Sequence, residues 1–542
     1  SQAADWGPAD EDKVEEALTG QFPLGSDEEL KLIHVFIIAN RIISQNIRYG
    51  MTDLTTAQFR LANDFLTVLN ESLHGQLPNL DALLDSPGPQ GSRLSDAQPA
   101  ANPELNNINE QFFIPQTALQ ELTQNALDEM QKGLKGDGSS LKMIGSTVRK
   151  PTGKETGEVL SYDFGGTNAR ALKVRLNGNG ILNDEDIQLN EKNIPESLKT
   201  STVGELYDFI AGQIEDLGLD PEQAYYLGFS FAFPVDENGN LIRWVKEFDI
   251  PELVGKSVTQ PLYEALARRG ITNITLVGPV NDTVSTLAAS SYGNTAASLG
   301  VIAGTGHNIA AWVDGTAVNF ESGAFDAFLT SSMNTETDID RMIDANSENT
   351  GINRFEKMMS GKYFGEIVRL NLQQLASEGK IFGGVLPKGL SDLWSLETVD
   401  ASVIFAGDQT DDLKNIREYL TDKGVVSVTL QDAELVRDLT VLLAERSARL
   451  LAAMISAGIY LNDPFVQEEH FVAIDGSLYE KFPSYRIYLE RALIDIMGTS
   501  KAKKIKIFLQ ADASGVGAAL IAASAMNDAS SESDDSGARL AE

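Results

Sequence analysis

The sequence feature that most constrains the fold is a recurring local event: an apolar strand stops at a turn of small or acidic residues. The stretches that show it are VLSYDFGGTNARALKVRL, YYLGFSFAFPVDENG, ITLVGPVNDTVSTLAA, GVIAGTGHNIAAWVDG, HFVAIDGSLYEKF and KIFLQADASGVGAALIAA. In the first, Leu172, Val174 and Leu176 alternate with Lys173 and Arg175, and NGNG then predicts a hairpin. Early hairpins and later strand–turn–helix units predict α/β lobes with mixed sheets. Two similar sets of turns favour two related lobes, although periodicity alone does not establish a duplication.

Length and charge narrow the class of protein. A chain of 542 residues exceeds what one hydrophobic core usually supports, so we expect two or more lobes. The net charge of −35 disfavours nucleic acid and anionic lipid as partners. The absence of cysteine excludes disulfides and thiol catalysis, and no two of the four histidines fall at metal-ligand spacing. The apolar run LIHVFIIANRII is too short to span a bilayer, and we expect a soluble, cytoplasmic protein.

The two ends of the chain differ from its middle. Residues 1–108 are predicted to be a helical extension and linker, with a capping box of Ser26 and Glu29 and a stretch rich in Pro, Gly, Ser and Asn before residue 108. Residues 528–542 have the composition of an acidic, solvated tail. No chemistry can be assigned to either end, and the sequence leaves the oligomeric state open.

The turn after the first strand has two interpretations. Asp163 precedes Gly165 and Gly166, and glycines let backbone N–H groups approach a phosphate without an intervening side chain. Thr167 and a second loop, AGTG at residues 303–306, strengthen this interpretation, and Asp163 could then orient a hydrated Mg²⁺ ion. In the other interpretation Asp163 only accepts hydrogen bonds from turn amides.

A second group of acids is equally ambiguous from local sequence. Asp282 begins a helix rich in small residues, where a carboxylate is commonly a cap but could also accept a proton from a substrate hydroxyl. Glu321 and Glu356 resemble ordinary surface acids. Together with Asn308 they would form an acid-and-amide set suited to a polyol. Local spacing does not decide between these interpretations.

The order of the motifs across residues 109–527 resembles the eukaryotic-type hexokinase family, the sugar kinases of the actin-like ATPase superfamily. The approach to the first loop, EMQKGLKGDGSSLKMIGSTVRKPTGKETGEVLSYDFGGTNAR, is close to that of the family, and LGFSFAFP, NDTVST, GTGHNIAAW, FEKMMSGKYFGEIVRL, AIDGSLYEKFP and ASGVGAALIAA resemble its later elements. Residues 1–108 lie outside the resemblance.

The resemblance implies a fold and a reaction. The fold is a two-lobed actin-like ATPase (ribonuclease H-like) α/β fold with mixed sheets and a cleft between a small and a large domain. It implies the large domain at residues 109–150 and 281–513, the small domain at 151–280, and a C-terminal helix at 514–527 returning to the small domain. The reaction is transfer of phosphate from ATP, with Mg²⁺, to the 6-hydroxyl of glucose or a related hexose.

The resemblance also assigns site residues. Asp282 is the implied general base, and Asp163 would hold Mg²⁺ through water. The implied hexose-binding residues are Ala232, Val245, Lys246, Asn281, Asp282, Asn308, Glu321 and Glu356. The implied nucleotide-binding residues are Asp163, Gly165, Gly166, Thr167, Asn168, Arg170, Gly304, Thr305, Gly306, Lys362, Thr398, Ser402, Ser477 and Gly515.

Several positions depart from the family pattern. Ala232 and Val245 replace a serine and a threonine, Ser322 replaces a tryptophan, and Ala513 and Val516 replace a glycine and a lysine. Each lost hydroxyl partner would weaken binding by about 0.5–1.5 kcal/mol, which alters hexose preference more than catalysis. A sugar-binding regulatory protein with impaired catalysis on the same scaffold is the alternative. His307 is expected to be a packing residue.

Overall fold

The computed structural model describes residues 102–245, 247–329, 335–510 and 513–539, with side chains up to residue 529. The predicted helices of the N-terminal extension and Lys246 lie outside the described residues. The strands form two mixed sheets, one with strand order β4-β3-β2-β5-β6 and the other with order β1-β9-β8-β7-β10-β11. This confirms the expected two-lobed α/β fold with mixed sheets.

The small lobe is the five-stranded sheet with its covering helices. Its strands are β2 (Thr156–Phe164), β3 (Asn168–Asn177), β4 (Ile187–Asn193), β5 (Tyr225–Phe231) and β6 (Ile274–Val280), and its helices are α3 (Glu196–Lys199), α4 (Val203–Glu215) and α5 (Gln260–Arg268). β2, β3 and β4 pair antiparallel, whereas β2, β5 and β6 run parallel. Leu172, Val174 and Leu176 are buried on one face of β3, as their alternation with charged residues in the sequence predicts.

The large lobe is built on the six-stranded sheet. Its strands are β1 (Ile144–Arg149), β7 (Ala297–Ala303), β8 (His307–Val313), β9 (Thr316–Asn319), β10 (His470–Asp475) and β11 (Ile505–Leu509). β7 pairs antiparallel with β8 and parallel with β10. Because the antiparallel meander β7–β8–β9 has tight connections, residues that follow one strand lie beside residues that begin the next.

A group of helices packs on one face of this sheet and extends the large lobe beyond it. They are α1 (Asn106–Phe112), α2 (Gln116–Lys135), α7 (Asp338–Ala345), α8 (Arg354–Met359), α9 (Gly361–Ser377), α10 (Thr398–Asp400, continued by a π-helical turn at Ala401–Ala406), α11 (Lys414–Asp422), α12 (Leu430–Asn462), α13 (Ser477–Lys481), α14 (Tyr485–Met497) and α15 (Thr499–Ala502). α12 is the 33-residue centre of the packing and begins with a capping box of Thr429 and Asp432. Its buried Arg446 and Arg449 are paired with Asp340 and Asp495.

Two helices join the lobes. α6 (Asp282–Ser291) leaves β6 of the small lobe and packs under β7, and α16 (Ala513–Arg539) leaves the large lobe and packs on β2 and β5. A Cβ on Gly517 would lie 1.9 Å from the carbonyl oxygen of Ser285, and a Cβ on Gly228 would lie 1.9 Å from that of Ala518. Glycine is therefore required where α6, α16 and β5 touch backbone to backbone.

The ends of the described chain differ from the sequence-based boundaries. A linker reaching residue 108 was expected, but Leu105 and Ile108 are buried in the core of the large lobe, so packed structure already begins near Pro103. At the other end α16 runs to Arg539, past residue 527, where the acidic tail was expected to begin, because no proline interrupts this stretch. Among the helices that the structure describes, none is long and apolar enough to cross a membrane.

Candidate active site

Strand register brings Asp163 and Asp282 to the same edge of the small-lobe sheet. Asp163, the second-last residue of β2, pairs with Ser230 of the parallel strand β5. Ser230 in turn pairs with Val280, the last residue of β6, and Asp282 begins α6 two residues later. Neighbouring strands are about 4.8 Å apart, so the ends of β2 and β6, where the two acids lie, are about 10 Å apart. The carboxyl ends of parallel strands are where ligands bind in open α/β sheets.

The first glycine loop is a tight connection between β2 and β3. The Gly165 N–H donates to the carbonyl oxygen of Asn168 at 3.1 Å, and a Cβ on Gly165 would lie 2.9 Å from that oxygen. The Oδ1 atom of Asn168 is buried without a hydrogen-bond partner. Arg170 pairs with Asp163 across the β2–β3 ladder, and its guanidinium lies 3.3 Å from the Glu191 carboxylate.

The start of α6 distinguishes the cap from the acid beside it. Asn281 caps the helix, because its Oδ1 accepts the Thr283 N–H at 2.8 Å. The Asp282 carboxylate accepts the Thr283 hydroxyl at 3.2 Å and lies in the first turn, where the helix dipole favours negative charge. A Cβ on Gly300 of β7 would lie 2.6 Å from the Thr283 carbonyl oxygen. The first turn of α6 therefore lies directly against the large-lobe sheet.

The second glycine loop joins β7 to β8 and contacts two other segments of the large lobe. The carbonyl oxygens of Gly304 and Thr305 accept the N–H groups of Gly361 and Lys362, at 2.7 and 3.0 Å. A Cβ on Gly304 would lie 3.3 Å from the backbone nitrogen of Ser477. The loop is thus held between the start of α9 and the end of β10, and Thr305 at its tip is exposed.

The acids and amides predicted to form one set do lie together. The Glu356 Oε2 atom accepts the N–H of His307 at 2.9 Å, while Asn308 follows directly in β8. The Oδ1 atom of Asn308 accepts the N–H of Ser322 at 3.1 Å, which places Asn308 next to Glu321. Asn308 pairs with Ile302, two residues from Gly300, so this cluster lies near the first turn of α6 as well.

Burial sets the protonation chemistry of the cluster. Burial raises the pKa of Glu356, and the neighbouring charge of Glu321 raises it further, whereas the hydrogen bond from the His307 N–H opposes the shift. Burial lowers the pKa of His307 to about 4, so its ring is neutral near pH 7. Its Nδ1 lies 3.1 Å from the Ile302 carbonyl oxygen, which can only accept, so the Nδ1–H donates there. The Nε2 atom then accepts the Ser322 hydroxyl at 3.1 Å, which agrees with the expected packing role.

The remaining polar residues of the predicted nucleotide side use their hydroxyls internally. The Thr398 hydroxyl donates to the Gly361 carbonyl oxygen at 2.5 Å and accepts the Gly365 N–H at 2.9 Å, which ties α10 to the first turn of α9. The Ser402 hydroxyl donates to the Lys481 carbonyl oxygen at 3.3 Å. The Lys362 side chain is exposed, with its Nζ atom 3.5 Å from the Glu348 carboxylate.

Three predicted positions contribute mainly backbone or packing. The Ala232 N–H donates to the Phe164 carbonyl oxygen at 3.1 Å, which places Ala232 beside the first glycine loop. Val245 is partly buried against the small-lobe core. A Cβ on Gly515 would lie 2.9 Å from Leu172, so this glycine lets α16 approach β3.

The donor set suits a magnesium ion that is held mostly by phosphates and water. Mg²⁺ takes oxygen ligands, commonly one or two carboxylates plus substrate phosphates. The acids at this edge, Asp163 and Asp282, supply such oxygens, whereas no group of three metal-ligating side chains occurs within the described parts of the chain. The residues present therefore fit Mg²⁺ that arrives with a nucleotide.

Sequence reasoning missed one residue at the centre of this cluster. Asn319, at the end of β9, hydrogen-bonds the side chains of both Asn308 and Glu321, at 2.7 Å each. Its position two residues before Glu321 in NFESGAF is a weak signal, because asparagine is common where strands end.

Comparison with known proteins places the whole described body in one family. Two family models, both described as hexokinase, match residues 104–292 and 298–524. "Hexokinase-1" of Nicotiana tabacum is 36% identical over 459 residues, which cover 78% of this chain and 90% of the relative. "Hexokinase-5" of Oryza sativa is 33% identical over 457 residues, covering 78% and 89%.

Solved structures agree with the sequence relatives. The hexokinase of Schistosoma mansoni complexed with glucose is 30% identical, with a TM-score of 0.63, and the similarity covers 78% of this chain and 98% of that one. A second hexokinase crystal structure has a TM-score of 0.66 at 29% identity, with the same coverage. The chain therefore belongs to the hexokinase family, has its two-lobed fold, and is a kinase that phosphorylates a hexose.

Proposed function

We propose that this protein transfers the γ-phosphoryl group of ATP to the 6-hydroxyl of glucose or a related hexose, with Asp282 as the general base. The observation that carries the proposal is the convergence of Asp163, Asp282 and the Glu356 cluster around the first turn of α6. The glucose named with the Schistosoma mansoni structure supports the choice of sugar.

In this proposal the first turn of α6 meets both substrates. The Asp282 carboxylate accepts the proton of the 6-hydroxyl, and the Thr283 hydroxyl, which donates to its Oδ1 atom at 3.2 Å, would orient it. The Asn281 oxygen is committed to capping, so its amide N–H groups would donate to a sugar hydroxyl. Phosphoryl transfer has a loose transition state, so positioning and charge neutralisation contribute more than strong base catalysis.

The other hydroxyls of the hexose would be held by the acid-and-amide cluster. The carboxyl oxygens of Glu321 and Glu356 would accept hydrogen bonds from sugar hydroxyls, and the amide of Asn308 would donate one. Ala232 and Val245 offer apolar contact where the family pattern has hydroxyl groups. Lys246, in the family position beside the sugar, completes the proposed set.

The nucleotide would be held by backbone amides and a few side chains. In the loops at Gly165–Asn168 and Gly304–Gly306, glycines would let phosphate oxygens approach backbone N–H groups without an intervening side chain, although the Gly165 and Gly304 N–H groups donate within the loops. Arg170 and Lys362 would add positive charge, and Ser477 and Thr305 expose hydroxyl groups. Mg²⁺, held through water by Asp163, would neutralise phosphate charge when bound. Thr398, Ser402 and Gly515 would act by shaping the site, since the two hydroxyls donate to backbone carbonyl oxygens and Gly515 lies against Leu172.

Coupled detection of ADP tests the reaction. Purified protein with ATP and Mg²⁺ should release ADP when glucose, mannose, fructose or glucosamine is added, and little without sugar. The ranking of the sugars identifies the preferred hexose. Sugar-induced closure without sugar-dependent ADP would instead support the regulatory alternative, which the missing hydroxyls at Ala232 and Val245 favour. The cytoplasmic location expected from the sequence stays a prediction.

A further inference from the structure

We propose that Asn319 is a positioning residue that fixes the two proposed hexose-binding groups, Glu321 and Asn308, in their binding orientation. The inference rests on the proposed function of those two residues. Asn319 lies at the end of β9 and is 9% exposed, and its side-chain amide makes the contacts to both groups.

The amide of Asn319 bridges the two groups directly. Its Oδ1 atom accepts the Nδ2–H of Asn308 at 2.7 Å, and its Nδ2 atom donates to the Glu321 Oε1 atom at 2.7 Å. A side-chain amide suits this bridge, because it carries an acceptor and a donor on one planar group. Asn319 therefore sets the direction of the Asn308 amide and of the Glu321 carboxylate together.

The same amides hold an unfavourable backbone conformation at Glu321. Glu321 has φ 53° and ψ 46°, a left-handed backbone conformation that residues other than glycine rarely adopt. The Glu321 N–H donates to the Asn319 Oδ1 atom at 3.3 Å, and the next N–H, of Ser322, donates to the Asn308 Oδ1 atom at 3.1 Å. Strained residues persist where the surroundings hold them, and they concentrate at functional sites.

The partners of Asn308 make its orientation single-valued. Its Oδ1 atom also accepts the Ile309 N–H at 2.8 Å, so this oxygen faces the turn and Nδ2 faces Asn319. The Ser322 hydroxyl, in turn, is held by His307. Loss of the Asn319 amide would therefore free the Glu321 carboxylate and the Asn308 Nδ2 atom, while the Asn308 Oδ1 contacts and the His307–Ser322 contact stay in place.

The test is Asn319→Asp, compared with the wild type across pH 6 to 8. The new carboxylate would face that of Glu321. Because two negative charges so close together repel, the two carboxylates share one proton, which raises the pKa of the pair. The other titratable groups facing the cluster are Glu356 from α8, with Lys357 and Lys362 near it, and His307 from β8. We expect the KM for glucose to rise by about 10- to 100-fold at pH 8, with kcat changed by less than about threefold.

The sign of the pH dependence separates positioning from general damage. As pH falls toward 6, the shared proton restores a hydrogen bond, so the variant should regain about tenfold in affinity, a gain that the wild type should not show because it lacks the second carboxylate. Asn371→Asp is the matched control, because this buried amide in α9 donates only to its own helix at Ile367. It should change stability without changing the pH dependence of the KM.

Two results would overturn the inference: an unchanged glucose KM in Asn319→Asp at pH 8, or a loss that is the same at pH 6 and pH 8. Calorimetric glucose affinities are measured alongside turnover. If the wild type releases no sugar-dependent ADP, the proposed reaction fails, and the affinities still decide whether Asn319 positions the binding groups.

Discussion

Acidification should destabilise the large lobe through His307, because the ring is buried in its neutral form. Its pKa is about 4 in the folded protein and 6.5 when exposed in the unfolded chain. A lowered folded-state pKa contributes stability that is complete above pH 6.5 and is lost as pH falls toward 4. Between pH 7.5 and 5.5 the expected loss is about 1.3 kcal/mol, close to the 1.36 kcal/mol that corresponds to one pKa unit.

Thermal unfolding of the wild type and of His307→Gln at both pH values measures this contribution. The variant loses the Ser322 contact and is expected to be less stable at pH 7.5, but it cannot titrate. Its unfolding midpoint should therefore fall by about 1.5 °C less than that of the wild type between pH 7.5 and 5.5, since unfolding of a body this large has an entropy of about 0.9 kcal/mol/K. Both pH values lie above the sequence pI of about 4.4, which limits precipitation. Parallel pH dependence in the two proteins would refute the assignment of a buried neutral ring.

Three further perturbations follow from the geometry. Gly517→Ala should cost about 3 kcal/mol or more, because the new Cβ would lie 1.9 Å from the Ser285 carbonyl oxygen. At about 1 °C per kcal/mol the unfolding midpoint should fall by about 3 °C, and a midpoint within about 1 °C of the wild type contradicts this close contact. Glu356→Gln should raise the unfolding midpoint at pH 8, because a buried acid with a raised pKa contributes stability that is lost as pH rises through that pKa. The glucose KM should increase in the same variant. A less stable variant with an unchanged KM would argue against a buried binding carboxylate. Thr398→Val should lower thermal stability and raise the ATP KM, because two hydrogen bonds to the start of α9 are lost. An unaffected ATP KM would show that this contact does not shape the nucleotide site.

Local pattern sufficed for much of the architecture. Alternating residues such as Leu172 and Val174 identify the buried face of β3, and the small residues after strands identify the turns. Local pattern left the roles of Asp163 and Asp282 open, and the parallel register of β2, β5 and β6 is what brings the two acids to one end of the sheet.

Other features depend on partners distant in the chain. The sequence gives Thr398 a hydroxyl, but only the fold shows that it bonds Gly361 and Gly365. Asn319 and Asn308 lie 11 residues apart on neighbouring strands, so their contact depends on register. Packed structure before residue 108 was missed because PAANPELNN has the composition of a linker, whereas burial of Leu105 is a tertiary effect.

The proposed phosphoryl transfer depends most on Asp282 accepting the proton of the hexose, and one substitution tests this role directly. In Asp282→Asn, glucose-dependent ADP release should fall by about 100-fold or more while the calorimetric glucose affinity stays within about threefold of the wild type. Asp216→Asn, an exposed acid paired with Lys192, is the control and should turn over normally. Turnover by Asp282→Asn near the wild-type rate would contradict the assignment of Asp282 as the general base.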